Sequence, residues 1–471
     1  MLINPLSIYG WCIHMVNSIK ILGIGVVAAI ALSIVSMVYV IWAINEVRGD
    51  IGRVNTNINS NINSLSESLS QLSKVVEGSA ASIGILNRTI GSIEEKVAGI
   101  NSSVASLSEF LRISTEPKIT VKYAKLFQVT YDGPVKVVKD AEGQVILLVP
   151  KSLSPQRNLI EYYTNKYSPQ LVIYTPVERV VLMSATQVSM LLRLEQECRV
   201  NIINTSLLGI MWGRQYTWYV PKIADMLEKG VLKDFGGADN PNVEAIVASK
   251  PDLVVIYTYA GSPVFRSLKN AGLPVVVDNE YLEQTLLGRF EWIKFLALFY
   301  NLDNCAESLF NRVESLISSL RSSIADQFPA EDQRPMVAWF SVFRGTIYAA
   351  RPASYVVDAI TMAGGRYVFS DIPFGRVSRE VVIARSSSID ILIYSSSIDY
   401  GPKSLSELLE AVPFVGDMKA VKEGRVYVFA PTYWQLGTAY PEDIVRDLVK
   451  IFYPDLQDLK DWKLVYFVKL S

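Results

Sequence analysis

Asn-Val-Glu-Ala-Ile-Val-Ala-Ser-Lys-Pro-Asp-Leu-Val-Val-Ile-Tyr, residues 242–257, has an altered counterpart in Ser-Arg-Glu-Val-Val-Ile-Ala-Arg-Ser-Ser-Ser-Ile-Asp-Ile-Leu-Ile-Tyr, residues 378–394. Each copy places Asn242 or Ser378 ahead of Glu244 or Glu380, then an apolar helical turn, an Asp and an uninterrupted apolar run. An Asn or Ser side chain accepts from the free N–H groups of a first helical turn, and a first-turn Glu complements the helix dipole. An unbroken apolar run is what a strand covered on both faces requires. Two such units predict two similar α/β lobes, and two lobes make a cleft.

Outward from the first copy, Arg179–Ser184, Val200–Asn204, Leu253–Tyr257 and Val275–Asp278 read as buried strands alternating with helices such as Thr186–Leu194, the pattern of a parallel sheet. Ahead of them, Ile119–Tyr123, Phe127–Tyr131, Val135–Val138 and Val145–Val149 read as an antiparallel preface. Residues 280–327 carry helical spacing with a break at Asn301–Asn304, and the piece from Ala306 to Asp326 is long enough to connect two lobes rigidly. A second α/β series follows, from Met336–Phe340 to Arg425–Phe429, closed by a helix over Pro441–Phe452.

At the other end of the chain, no charge lies between Lys20 and Glu46. The run Ile21–Ile44 is long enough to cross the roughly 30 Å hydrocarbon layer as a helix, and Tyr39 and Trp42 close it as interfacial aromatics do. Beyond it apolar residues recur at alternating threes and fours from Ile44 to Leu111, a heptad seam. A straight helix there would reach about 100 Å at roughly 1.5 Å per residue. Weakly charged flanks to the seam make self-association the default, with a helix folding back on its own chain or a Ser/Asn-rich linker as the alternatives.

The expected fold class is thus α/β: two α/β lobes with parallel sheets bridged by one long helix, preceded by a transmembrane helix and a long coiled-coil helix. The boundaries read as a flank over 1–20, a transmembrane anchor over 21–44, a coiled-coil stalk over 45–113 and a β-rich preface over 114–178. An N-terminal lobe over 179–303, a bridging helix over 304–327 and a C-terminal lobe over 328–471 complete the chain.

Composition excludes several function classes. The formal net charge of −1 over 471 residues, with no long basic run, argues against a nucleic-acid partner. The sole histidine, His14, precedes the apolar run, so the body has no His-ligated metal site and no His-based triad. Cys12, Cys198 and Cys305, odd in number and far apart, spell out no disulfide framework. No nucleophile–base pair stands out, and no enzyme or resident cofactor is expected.

Several motifs, in their order along the chain, resemble the substrate-binding proteins of iron-chelate and corrinoid ABC importers, from about residue 119 to 471. They are Gly236-Gly237-Ala238-Asp239-Asn240-Pro241-Asn242-Val243-Glu244 with Lys250-Pro251-Asp252, Leu287-Gly288-Arg289-Phe290-Glu291-Trp292-Ile293-Lys294, Val377-Ser378-Arg379-Glu380, Gly424-Arg425-Val426-Tyr427 and Gly437-Thr438-Ala439-Tyr440-Pro441-Glu442-Asp443. The resemblance implies a receptor outside the membrane that hands a small-molecule metal chelate to an ABC permease. It places the body on the extracytoplasmic side of the cell membrane, although the weak flanking charges alone favour the opposite orientation. It also implies that Glu244 and Glu380 dock on arginines of the permease.

Ligand contacts belong on loops at the carboxyl ends of parallel strands. On the first lobe these loops offer Ser184, Thr186, Trp212, Arg214, Tyr257 and Tyr259; on the second they offer Arg344, Arg351, Tyr355, Tyr433 and Trp434. Aromatic faces suit the flat apolar parts of a ferric siderophore or corrinoid, and an arginine fork suits its carboxylates. The competing reading is a stalked cell-surface structural or sensory protein that keeps the two-lobed fold without transport.

Overall fold

The computed structural model describes residues 33–36, 60–69, 83–115, 118–327 and 330–471. The chain divides into two compact units, Met1–Ile113 and Ser114–Ser471.

In the first unit, residues 60–69 are helical, and α1 (Ile83–Thr115) runs for 33 residues. Lys96 Nζ donates to the Ser64 carbonyl at 3.1 Å and to Ser68 Oγ at 2.7 Å, partners 32 and 28 residues away. One straight helix would hold them about 40–50 Å apart. A single straight helix over 45–113 is therefore corrected: residues 60–69 and α1 meet at Lys96, and seam residue Leu65 is buried. The reading of 21–44 as an anchor, and the flank 1–20, lie outside the described residues except for helical residues 33–36. Among the described residues no helix is long and apolar enough to cross a membrane.

The second unit opens without the strand expected over Ile119–Tyr123. The backbone N–H groups of Lys122, Tyr123 and Ala124 instead donate to the Glu291 carboxylate at 2.6–3.0 Å. Those of Lys125 and Leu126 donate to Glu283 at 2.9–3.1 Å. Donors already engaged by side chains are not available to a ladder. Fully buried Lys294 closes the arrangement, reaching the Thr120 carbonyl at 2.7 Å, Glu291 at 3.0 Å and Glu307 at 2.9 Å.

A four-stranded sheet follows: β1 (Gln128–Asp132), β2 (Val135–Lys139), β3 (Val145–Pro150) and β4 (Leu171–Thr175), in that order. The first two pairings are antiparallel as expected, but helix α2 (Arg157–Tyr167) returns the chain so that β4 joins β3 in parallel.

The N-terminal lobe is built on β5 (Val180–Leu182), α3 (Ala185–Cys198), α4 (Ile202–Ser206), β6 (Leu207–Ile210) and β7 (Lys233–Asp234). It continues with α5 (Val243–Ala248), β8 (Leu253–Ile256) and β9 (Val275–Val277). Its sheet has the order β9-β8-β5-β6-β7 and every pairing is parallel. Residues 200–204 are not a strand. Thr205, Ser206 and Asn204 bond back to Asn201 and Ile202, stabilising a helical turn, and the strand begins at Leu207. Helices α6 (Leu286–Leu298) and α7 (Asp303–Gln327) come next, separated at Asn301, whose φ of 56° ends the first.

The C-terminal lobe contains β10 (Met336–Phe343), β11 (Thr346–Ala349), α8 (Tyr355–Met362), β12 (Arg366–Tyr367), β13 (Arg376–Val377), α9 (Arg379–Arg385) and β14 (Ile391–Ser397). It ends with β15 (Val426–Phe429), α10 (Tyr433–Leu436), α11 (Pro441–Phe452) and β16 (Phe467–Lys469). The order is β13-β11-β10-β14-β15-β16, with β12 beside the start of β10. Strands β12, β10, β14 and β15 run parallel to one another, the parallel core expected of this lobe, and β11, β13 and β16 add antiparallel strands beside it.

The two echoed segments fold alike. Asn242 caps α5 by accepting from Ala245 N at 3.0 Å, and Ser378 caps α9 by accepting from Val381 N at 3.4 Å. Each helix feeds a strand flanked by parallel neighbours, β8 or β14. The lobes are not separate globules, however. One apolar core runs through α6, α7 and the inner faces of both large sheets, including Phe290, Phe310, Phe340 and Phe429, while a second cluster covers the other face of the N-terminal sheet.

Candidate functional site

Strand direction fixes where the lobes meet. The segment after β6 leads to Tyr219, whose hydroxyl donates to Asp399 just past β14, and this bond pushes the tyrosine up to about 12. Buried Gln435, on α10 after β15, accepts from Tyr219 N at 2.9 Å and donates to the Thr217 carbonyl at 2.6 Å. The carboxyl ends of parallel strands in the two lobes therefore face one another, the arrangement in which α/β folds place ligands.

Behind this edge the lobes are locked. Arg193 of α3 donates to Glu442 of α11 at 2.6 and 3.1 Å and to the Ala439 carbonyl at 2.6 Å, and both side chains are buried. The guanidinium also stacks on Tyr440 at 4.3 Å. Asp358 of α8 accepts from Leu286 N at 2.8 Å, so a carboxylate of one lobe caps the first turn of α6.

Between the lobes lies a pocket of about 50 Å³ lined by Thr186, Arg289, Trp339, Tyr355, Tyr433 and Trp434 among others. That volume admits a few water molecules, well short of the ~300–1,000 Å³ of small-molecule sites. Arg289 is the charged group in this wall. It donates to Glu280 at 2.7 Å and lies over the Tyr355 ring at 4.1 Å. Burial works against its charge, but Glu280 together with Tyr355 and Tyr433 holds it above the usual guanidinium range.

Asp278 sits close behind in the interior. Burial first, and the Glu280 charge second, push its carboxyl well above the usual range, and its Oδ2 has no partner among the described residues. Both effects favour the uncharged form of the Asp278 carboxyl. Tyr433 is likewise held as the neutral phenol by burial, stacked on Phe429 with ring centroids 4.0 Å apart.

Of the residues expected to contact ligand, the structure brings Thr186, Tyr355, Tyr433 and Trp434 together in this pocket. Ser184 is occupied as the cap of α3: its hydroxyl accepts from Gln187 N at 3.2 Å and bonds Thr186 Oγ1 at 2.9 Å. Tyr257, Tyr259 and Tyr281, whose ring lies 5.9 Å from that of Tyr257, form a separate aromatic lip on the first lobe, with Trp212 bonded to the Tyr257 side chain. Tyr259 donates to Asp239 at 2.6 Å. Arg214 is exposed on the turn after β6. Arg344 is exposed at the β10–β11 turn with φ 49°, and Arg351 lies past the end of β11. Glu244 and Glu380 stand exposed in the first turns of α5 and α9. The Glu380 carboxyl is held below the usual range by its own backbone N–H and by Ser378.

Sequence reasoning missed Arg289, Tyr219 and Asp399 as members of the inter-lobe surface. Arg289 belongs to the motif over 287–294, but nothing in spacing shows that Glu280, nine residues earlier, would hold it toward the pocket. The cysteines also require correction: Cys198 at the end of α3 and Cys305 in the first turn of α7 form a disulfide, with Cα atoms 5.8 Å apart across 107 residues.

A model of the periplasmic binding protein family matches residues 212–433. An uncharacterized lipoprotein of Methanocaldococcus jannaschii is 30% identical over 402 residues, covering 81% of this chain and 92% of that protein. A cobalamin-binding protein of Halobacterium salinarum is 25% identical over 250 residues, 48% of this chain and 62% of that one. Among solved structures, a periplasmic solute binding protein from Veillonella parvula is 20% identical with a TM-score of 0.49, covering 69% of this chain and 90% of that one. Taken with the two lobes and their opposed strand ends, the family and sequence matches show that the chain belongs to the periplasmic binding protein family.

Proposed function

We propose that this protein is a membrane-tethered extracytoplasmic receptor of an ABC importer that takes up a metal chelate where the two lobes face each other and delivers it to the permease. The observation that carries the reading is the pair of opposed strand ends, furnished with aromatic rings and Arg289 and braced from behind by Arg193–Glu442. The cobalamin-binding and lipoprotein relatives support the cargo class and the tether respectively. The uncharged run Ile21–Ile44 supplies the anchor in this reading. Glu244 and Glu380 supply two exposed carboxylates, one per lobe, as an electrostatic key for the permease.

A panel of ferric siderophores, haemin and corrinoids tests this by thermal shift of the purified protein. At least one should raise the melting temperature, and a panel without any shift refutes the receptor reading. Glu244→Ala with Glu380→Ala should leave affinity intact and abolish uptake by whole cells; unchanged uptake removes the docking role.

A further inference from the structure

The free edge of the C-terminal sheet carries a shelf that the small inter-lobe pocket does not include. Strand β13 pairs with β11 so that Arg376 lies opposite Tyr348, level with the outer half of β10. Phe374, Gly375 and Arg351 complete a groove of about 590 Å³, which falls within the size range of small-molecule sites. Its chemistry is one-sided. Arg351 and Arg376 are exposed, as is Arg344 at the neighbouring turn, and none of the three is paired with a carboxylate among the described residues. Arg344 lies over Phe343 at 5.2 Å and Arg376 over Tyr348 at 6.0 Å.

Phe374 is 84% exposed, although it belongs to a turn held in place. The Gly375 carbonyl accepts from Ala349 N at 2.8 Å, and at φ 66° a Cβ on Gly375 would meet the Ala349 oxygen at 2.8 Å. A well-anchored turn that displays a bare aromatic ring beside unpaired guanidinium groups matches a ligand that supplies both flat rings and negative charge.

We infer that the cargo is a multiply anionic metal chelate with flat aromatic groups, read by Arg344, Arg351 and Arg376 beside Phe374, rather than a neutral, amide-rimmed corrinoid. The inference rests on the receptor reading above. Ferric tris-catecholates and iron porphyrin dicarboxylates share this chemistry, and separate titrations distinguish them.

The test is titration of the full-length protein in detergent with an iron(III) tris-catecholate, haemin, a ferric trihydroxamate without net negative charge, and cyanocobalamin. One of the two anionic probes should bind at least tenfold more tightly than the other two, and its affinity should fall as salt rises from 50 to about 500 mM. Arg351→Gln with Arg376→Gln should weaken it about a hundredfold, roughly tenfold for each charge-assisted hydrogen bond removed, with the melting temperature of the free protein unchanged. Phe374→Ala should weaken it without altering the salt dependence. Tighter binding of cyanocobalamin or the trihydroxamate overturns the inference and leaves the receptor reading standing. So does anionic binding that the arginine variant does not weaken. Failure of all four probes removes the receptor reading itself and the inference with it.

Discussion

Cys198 and Cys305 join the end of α3 to the start of α7 across 107 residues, and between them lie four strands of the N-terminal sheet and the whole of α6. A cross-link of that span restricts the unfolded chain far more than the folded one. On the loop-entropy relation a loop of about 100 residues is worth about 4.7 kcal/mol at 25 °C. Replacing both residues, Cys198→Ala with Cys305→Ala, should therefore lower unfolding stability by roughly 3–5 kcal/mol. Urea titration followed by tryptophan fluorescence and extrapolated linearly to water measures the loss. Reducing the wild-type protein should reproduce it. A loss below about 1 kcal/mol, or one that reduction of the wild type does not match, would refute the loop-entropy reasoning. The same bond bears on location, because persistent disulfides belong to oxidising compartments. Alkylation of both cysteines in freshly isolated membranes, before any reductant is added, would show that the pair is not closed in the cell.

Removing one member of the buried Arg193–Glu442 pair leaves the other charge uncompensated: Arg193→Met should cost about 3–5 kcal/mol in urea unfolding, and adding Glu442→Leu should recover most of it. If the single variant is near wild type, the pair does not lock the lobes. Burial pushes Asp447 up to about 6 despite bonds from Trp462 Nε1 and from the backbone of Val465 and Tyr466. The folded state then binds this proton below about pH 6 and the unfolded state only below about 3.9. The stability of the wild type relative to Asp447→Asn should accordingly rise by up to roughly 3 kcal/mol as pH falls from 7 to 4. A pH-independent difference between the two would show that the carboxylate is not held out of water.

Much of the fold could be read along the chain because it is local. Asn242 and Ser378 cap helices as their side chains permit, and Leu253–Ile256 and Ile391–Tyr394 are apolar enough to be strands covered on both faces. The break at Asn301 and the length of α7 follow from the same kind of local signal. Short stretches were less legible. Residues 119–123 and 200–204 have strand-like composition, but their donors are engaged elsewhere, by Glu291 in one case and by a helical turn in the other.

Nothing in periodicity could show that Lys96 of α1 would meet Ser64 and Ser68, since heptads are satisfied by any partner helix, including one from the same chain. The sequence by itself determined the two α/β repeats, their connector and the positions of Glu244 and Glu380, because caps, turns and apolar runs act over a few residues. The pairing of Cys198 with Cys305, the turn of Arg289 toward Tyr355 and the unpaired arginines beside Phe374 were decided only by the tertiary structure. Each depends on distances between residues remote in the chain, and only the folded chain fixes those distances.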